Sequence, residues 1–331
     1  MRTLAIDAGF GYTKVAVLED GIITHQVKEM DSIVELETEE SMSDLQIIND
    51  SIYEYDGKKF LVGGNALQAV SDEAKVLDVK DYDTFKYITP LLIQKYVKRY
   101  KGDFNRIILS ISYAFYKQSG DYKAFVSENT IIDGNKLPIE NIFVLPQSAA
   151  GKMAIDNMGL DLDNPSKKGN YLNYLILDGG YNTLDISLVL DGKLIPSTNT
   201  KGYPGMGVIK IAEKLIPHVK ELSGEDISYS KARQIIETRK YVLRGKKYPV
   251  DAFIDTAIND YIVEIGKFLE EKYSTQMNNI ENIIIFGGLA ELIRNKMDVW
   301  NTMYSPNFVR IPESNSEYYN VIGATFYKRE E

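Results

Sequence analysis

The sequence contains no cysteine and only two histidines, His25 and His218. Disulfide bonds and thiolate metal sites are therefore excluded. Two histidines also give little support for an imidazole metal site or a Ser-His-Asp triad, and both are interpreted as structural or solvated residues. Any chemistry must come from carboxylates, amides, hydroxyl groups and the backbone.

Long apolar runs and an excess of positive charge are missing as well. No stretch approaches the ~18 apolar residues of a transmembrane helix, and a strand beginning at Thr3 leaves no room for a signal peptide. The net charge of −9 and the pI of about 5.0 argue against direct binding to nucleic acid or to a membrane surface. These features predict a cytoplasmic protein.

What is present is a chain long enough for two lobes. Its 331 residues exceed the usual size of a single domain, and 44% of them are hydrophobic. The chain as a whole runs twice through hairpin, strand, helices, strand and helix, which predicts a duplicated α/β lobe. Residues 32–50 are acidic and weakly patterned and are interpreted as a surface insertion. Pro90 is expected to divide or kink a helix over residues 83–100.

Two stretches, residues 4–17 and 175–188, share one order of residues: an apolar run, an aspartate, a glycine-rich turn, a hydroxyl residue and a second apolar run. This order predicts two β-hairpins with Asp7 and Asp178 near their tips. Either loop alone could be an ordinary hairpin turn, because Asp-Gly is a common turn signal. The repetition favours a shared function.

Phosphate binding is the function that these loops suggest. Glycines such as Gly9 and Gly179 leave no Cβ in the way, so successive backbone N–H groups can converge on one anion. Thr13 and Thr183 would add hydroxyl donors. The aspartates make sense beside phosphate if a hydrated Mg²⁺ lies between them and the phosphate oxygens.

Five motifs in order resemble those of the actin-fold ATPase superfamily. They are the first phosphate loop at 7–14, the first connecting segment at 145–151, the second phosphate loop at 178–185, the adenosine motif at 284–290 and the second connecting segment at 320–324. Within the superfamily, the chain is most similar to the bacterial ParM/StbA group of plasmid-segregation actins. The resemblance implies two actin-like (ribonuclease H-like) lobes with a nucleotide cleft between them: 1–148 with 320–331 returning to it, and 149–319.

The resemblance also implies roles for individual residues. Asp7 and Asp178 would hold Mg²⁺ through its waters, and Gln147 would position the attacking water, making these three the catalytic candidates. The backbone of the two phosphate loops would bind ATP or ADP, with Lys14 adding charge. The nucleotide-binding candidates are Gly9, Phe10, Gly11, Tyr12, Thr13, Lys14, Gly179, Gly180, Tyr181, Asn182, Thr183, Gly205, Gly207, Lys210, Glu213, Gly287, Gly288 and Leu289.

Several of these residues have a simpler interpretation. Gln147 could cap the helix that follows Pro146, and Lys14 could face solvent on its strand. Gly287 and Gly288 could form only a turn. Lys210 and Glu213 could be a solvated helical pair.

The function implied by the resemblance is a nucleotide-dependent polymerising ATPase. ATP would favour head-to-tail addition of subunits, and hydrolysis to ADP and phosphate would weaken the filament. Its partners would be further copies of itself and an adaptor protein bound to DNA. Two alternatives stay open: a sugar or acid kinase of the same fold, and a nucleotide-dependent scaffold that does not polymerise.

Overall fold

The computed structural model describes residues 1–9, 11–30, 32–36, 52–63, 75–78, 82–101, 103–160, 171–195 and 200–328. It divides into two compact units. Unit 1 comprises Met1–Ala150 and Asn320–Glu331, and unit 2 comprises Gly151–Tyr319.

The main sheet of unit 1 is built around the predicted first hairpin, which is confirmed. Strands β1 (Arg2–Ala8) and β2 (Tyr12–Glu19) pair antiparallel with Asp7 opposite Lys14. Consecutive residues of both strands are buried, so both faces of the hairpin are covered. The sheet order is β11-β8-β1-β2-β3, with β1, β8 and β11 parallel. The other strands are β3 (Ile22–Met30), β8 (Arg106–Ile111) and β11 (Ile142–Pro146).

A second sheet in unit 1 corrects the interpretation of residues 32–50. Ser32–Leu36 form strand β4 in the interior of this sheet, and Ile33 and Val34 are each only 1% exposed. The acidic residues around this short apolar pair obscured its strand character. Residues 37–50 lie outside the described residues. The order is β5-β6-β4-β7, with β5 (Ile52–Tyr55), β6 (Lys58–Val62) and β7 (Lys75–Asp78).

One long helix of unit 1 passes through a proline. Helix α1 (Tyr82–Tyr100) is continuous across Pro90, so the predicted division of the helix at this residue is wrong. Pro90 lacks one backbone N–H, but Ile88, Leu91 and Leu92 beside it are completely or almost completely buried. Burial of this apolar face compensates for the missing hydrogen bond. Helix α2 (Ser119–Asn129) and the short strands β9 (Ile131–Ile132) and β10 (Asn135–Lys136) follow before β11.

Unit 2 repeats the hairpin plan, and the second predicted hairpin is confirmed. Strands β12 (Tyr174–Gly179) and β13 (Thr183–Leu190) pair with Asp178 opposite Asp185. The sheet order is β14-β13-β12-β18-β19, with β15 also pairing with β13, and β12, β18 and β19 are parallel. The remaining strands are β14 (Lys193–Ile195), β15 (Lys201–Pro204), β18 (Asn282–Phe286) and β19 (Val309–Arg310).

Helices with apolar faces cover this sheet. The 3.6-residue periodicity that predicts a helix from Asp251 is confirmed, and the helix extends to Met277. No helix in the described ranges is long and apolar enough to cross a membrane. The helices are α4 (Ile209–Ser223), α5 (Tyr229–Thr238), α6 (Asp251–Met277), α7 (Gly288–Ile293) and α8 (Met297–Met303), with a hairpin of β16 (Tyr241–Leu243) and β17 (Lys246–Tyr248) between α5 and α6.

The chain passes between the units inside two helices, α3 (Gln147–Met158) and α9 (Tyr319–Thr325). Gly151, the first residue of unit 2, packs so closely on Phe286 that a Cβ would overlap the phenyl ring. Tyr319, the last residue of unit 2, stacks on the same ring with 5.8 Å between centroids. Within unit 2, both crossings are therefore attached to one aromatic side chain.

Candidate functional site

In unit 1, three predicted site residues meet where parallel strands end. Asp7 lies near the carboxyl end of β1 and is completely buried. Gln147 follows β11 and donates from Nε2 to Asp7 Oδ1 at 2.6 Å, while Lys14 Nζ lies 3.4 Å from Asp7 Oδ2. Lys14 is 9% exposed, so it does not face solvent. The carboxyl edge of parallel strands is the usual ligand position in α/β sheets.

The first loop is closed by a backbone hydrogen bond from Gly9 N–H to Tyr12 O at 3.3 Å. A Cβ at Gly9 would lie 2.9 Å from that carbonyl oxygen, so the position suits glycine. Lys28 Nζ lies 4.4 Å from the centroid of the Tyr12 ring. Gly11 belongs to the same turn, whereas Phe10 lies outside the described residues.

The second loop closes in the same way, with Gly180 N–H donating to Thr183 O at 2.9 Å. The strand registers then align Gly180 with Gly9, and Thr183 with Tyr12 rather than with Thr13. The two threonines are thus offset by one residue. Because strand side chains alternate, Thr183 projects to the face of Asp178, whereas Thr13 projects to the face opposite Asp7. The sequence pattern identified a threonine after each turn, but it did not determine the pairing register of the two strands in each hairpin.

The alignment also exposes an electrostatic difference between the hairpins. Lys14 lies opposite Asp7 in unit 1, but Asp185 lies opposite Asp178 in unit 2. Asp178 is 4% exposed and Asp185 is 1% exposed. Carboxylates directly opposite each other repel, and the repulsion is relieved when a cation binds near them.

Three carbonyl groups of the second loop, those of residues 180–182, point towards the start of α4. Gly207 N–H donates to Asn182 O at 3.2 Å, Val208 N–H to Gly180 O at 3.1 Å and Ile209 N–H to Tyr181 O at 2.8 Å. The described residues contain no cis peptide bond, and the C=O and N–H of a trans peptide point in opposite directions. The N–H groups of residues 181–183 therefore point away from α4, as required of an anion-binding loop.

Gly207 makes this arrangement possible. A Cβ there would lie 2.6 Å from Gly180 O and would overlap Tyr181 O, so only glycine allows the two backbones to approach. Tyr261 in α6 supports the same turn by donating its hydroxyl to Met206 O at 2.5 Å. Burial raises the pKa of Tyr261, which keeps this donor protonated. Gly205 has a φ of +74° in the turn.

The other two candidates near this turn pair with each other. Lys210 Nζ lies 3.9 Å from Glu213 Oε2 one helical turn away, and their side chains are 36% and 45% exposed. This geometry is that of a solvated helical pair, which contributes little to stability.

Tyr181 at the tip of the second loop contacts α5. Its hydroxyl donates to Tyr229 O at 3.1 Å, and the Arg233 guanidinium carbon lies 5.1 Å from the centroid of its ring. Arg233 is 4% exposed. The loop is thus held by backbone contacts from α4 and by an aromatic contact from α5.

The glycine turn after β18 reaches the end of β12. Gly287 has a φ of +82°, and a Cβ there would lie 2.6 Å from Asp178 Oδ1. Leu289 packs so closely on Gly179 that a Cβ at Gly179 would overlap it. Gly288 lies between these contacts, with its Cβ position 3.8 Å from Gly179 O. The structure therefore brings Asp178, Gly179 and residues 287–289 together.

Sequence reasoning gave no role to three residues at these positions: Ser110, Asp185 and Arg233. Ser110 lies in an apolar strand, and its local sequence does not distinguish it from a structural residue. The alternation of β13 could have placed Asp185 beside Asp178 once the hairpin register was known. Arg233 contacts Tyr181 although the two residues are 52 positions apart in sequence, and no local pattern predicts such a contact.

The side chains near Asp178 in unit 2 suit a Mg²⁺ ion that keeps several of its waters better than a metal ion coordinated by protein side chains alone. Asp178 and Asp185 supply hard carboxylate oxygens, and Thr183 projects to the same face. Among the described residues, no group of three or more His, Cys, Asp or Glu side chains could hold a metal ion alone. Mg²⁺ usually binds one or two carboxylates and keeps water and phosphate as its other ligands.

Comparisons with known proteins identify a similar family model and similar folds. The family model "Archaeal actin homologue MreB-like, C-terminal" matches residues 176–299. No curated protein matches the sequence significantly. Similar solved structures include a ParM filament from Clostridium botulinum, with 18% identity, a TM-score of 0.70 and coverage of 98% of this chain and 97% of that chain.

Two other similar structures carry bound nucleotide. The archaeal actin homologue Ta0583 in complex with ADP has 14% identity and a TM-score of 0.69, with 98% of each chain covered. MreB 5 of Spiroplasma citri bound to AMPPNP has 14% identity and a TM-score of 0.66, with 98% of this chain and 94% of that chain covered. The resemblance drawn from the five motifs is confirmed at the level of the fold: the chain has the actin fold, with similarity to ParM.

Proposed function

We propose that the protein is an actin-like ATPase that binds ATP with Mg²⁺ and polymerises head to tail. The observation that carries this proposal is the orientation of the second loop: the carbonyl groups of residues 180–182 are turned to the start of α4, and the N–H groups of residues 181–183 are turned away from it. Such a loop binds an anion without reorganising. The similar structures with ADP and AMPPNP support a nucleotide phosphate as this anion.

Gln147 is the residue that positions the attacking water. Its amide nitrogen donates to Asp7, because a carboxylate can only accept hydrogen bonds. This contact fixes the amide orientation and turns Oε1 away from Asp7. A water that donates to Oε1 is then oriented for attack on the terminal phosphate, the role a glutamine has in other nucleotide hydrolases. Lys14 keeps Asp7 in place from the other side.

In unit 2, Asp178 would hold Mg²⁺ through water, with Asp185 opposite it. A bound cation would supply positive charge that offsets the negative charge of the phosphates. Asp178 and Asp185 would orient its hydration shell, and residues 181–183 would contribute backbone donors. Gly287, Gly288 and Leu289 allow adenosine to approach the end of β12.

Head-to-tail polymerisation is the second part of the proposal. Contacts between different surfaces of successive copies extend without closing, so one kind of interface suffices for a filament. ATP favours the polymer if it binds the polymer conformation more tightly, and hydrolysis removes that preference. An adaptor protein bound to DNA would supply the cargo in a segregation role in the cytoplasm.

Right-angle light scattering with simultaneous phosphate detection tests the function. The pure protein receives Mg-ATP, Mg-ADP or a non-hydrolysable ATP analogue. We expect scattering to rise with ATP, to fall slowly as phosphate appears, and to stay low with ADP. Absence of scattering at every protein concentration, with phosphate transfer that needs an added sugar or acid, would favour a kinase instead.

Replacement of Gln147 by alanine should slow phosphate release about 100-fold, because the attacking water loses its acceptor. ATP affinity should stay within about threefold, since no phosphate contact is removed, and filaments should persist longer. Single-turnover hydrolysis and equilibrium nucleotide titration measure the two effects separately. Gln118→Ala, at an exposed position of unit 1, is the matched control. Equal turnover in both variants would remove Gln147 from the mechanism.

A further inference from the structure

A buried hydroxyl group beside Asp7 has no hydrogen-bond partner in the described part of the chain. Ser110 lies near the end of β8 and is 1% exposed, and its Oγ bonds to nothing there. Native structures satisfy most buried polar side chains, because leaving one unpaired weakens the fold. Packing alone does not explain a serine at this position, since alanine would fill the same strand without an unpaired group.

The pairing of β8 with β1 places Ser110 next to Asp7. Ser110 pairs with Asp7 on one side and with Leu145 on the other. Paired residues in a sheet project to the same face, so Ser110 lies on the face of Asp7 and Lys14. Gln147, two residues after Leu145, reaches the same aspartate. Ser110 therefore lies beside Asp7, with the strand that leads to Gln147 on its other side, near the carboxyl edge of the sheet.

Asp7 does not satisfy this hydroxyl group. Its Oδ1 accepts from Gln147 at 2.6 Å and its Oδ2 contacts Lys14 at 3.4 Å. These contacts hold the carboxylate, and the neighbouring serine keeps both its donor and its acceptor capacity. The hydroxyl group of Ser110 can therefore bond a water molecule, although it is buried.

We propose that Ser110 is a further nucleotide-site residue, whose hydroxyl binds the phosphates of the nucleotide through an ordered water. The inference rests on the ATP binding proposed above and adds a residue to it. Serine can link water and Asp7, because its hydroxyl donates one hydrogen bond and accepts others.

The test is Ser110→Ala in the full chain, with melting temperature measured with and without Mg-ADP and with the Kd for Mg-ADP measured by calorimetry. Without nucleotide, the variant should melt at the same temperature or higher, because an unpaired buried hydroxyl is removed. With nucleotide, the rise in melting temperature should shrink and the Kd should increase about 10-fold. A lower melting temperature without nucleotide, together with an unchanged Kd, would show a purely structural role and overturn the proposal.

Tyr174→Phe is the matched control. Tyr174 also carries a buried hydroxyl without a hydrogen-bond partner in the described residues, but it lies at the start of β12, the end away from Asp178. It should share the effect on the unliganded protein and keep the normal Kd. A wild-type protein that is not stabilised by Mg-ADP would overturn the proposed function and this inference together. A normal wild-type response with an unchanged Kd in Ser110→Ala would overturn this inference alone.

Discussion

Replacement of Asp178 by asparagine is expected to lower the rate of ATP hydrolysis about 100-fold or more, while ATP affinity changes by less than about 10-fold. The reason is that Asp178 would orient the hydrated cation, whose charge stabilisation matters most in the transition state. The backbone donors of the second loop, which bind the phosphates, are unchanged. Single-turnover hydrolysis and nucleotide titration measure both quantities.

Asp191→Asn is the control for this experiment. Asp191 lies in the exposed turn after β13 with a φ of +49°, a conformation that asparagine adopts as readily as aspartate. It should hydrolyse ATP like the wild-type protein. If Asp178→Asn also did so, Asp178 would have no part in catalysis. If Asp178→Asn failed to fold, circular dichroism would show it and the carboxylate would be structural.

Gly207→Ala is the second substitution with a large expected effect. The added methyl group would overlap Tyr181 O and lie 2.6 Å from Gly180 O, so the loop and α4 would have to separate. We expect a loss of about 1–3 kcal/mol in the free energy of unfolding, the usual cost of an overpacked site. Stabilisation by Mg-ATP should be lost as well, because the loop N–H groups are no longer held in place. Chemical denaturation with and without nucleotide measures both effects.

Gly120→Ala provides the comparison for a glycine with free space around it. Gly120 lies in α2, and no atom lies within 4 Å of the position that its Cβ would occupy. Alanine in a helix should stabilise unit 1 by about 0.5–1 kcal/mol and leave the nucleotide response intact. A Gly207→Ala protein that kept its nucleotide response would show that the contact with α4 does not orient the loop.

Local patterns were enough to predict the elements that carry the site. Continuous apolar runs around glycine-rich turns placed Asp7 and Asp178 at strand ends, and helical periodicity located the helix from Asp251. These signals are short-range, so the sequence contains them in full. The strand over 32–36 was missed because its two buried residues stand among acidic ones.

Contacts between distant residues could not be derived in the same way. Gln147 and Asp7 are 140 positions apart, and only the order of parallel strands brings them to hydrogen-bonding distance. Whether Lys14 faced Asp7 or solvent depended on the burial of both faces of β2. Ser110 carried no signal, because an unpaired hydroxyl becomes visible only when its surroundings are known.

In unit 2, the two helices through which the chain passes between the units both pack on the Phe286 ring. Gly151 packs on this ring, Tyr319 stacks on it, and the Tyr319 hydroxyl donates to Gly159 O at 3.0 Å beyond the end of α3. A movement of either crossing helix would therefore shift the Phe286 ring, and through this ring it would act on the other helix. Since Gly287 follows Phe286 directly, the turn beside Asp178 would shift as well.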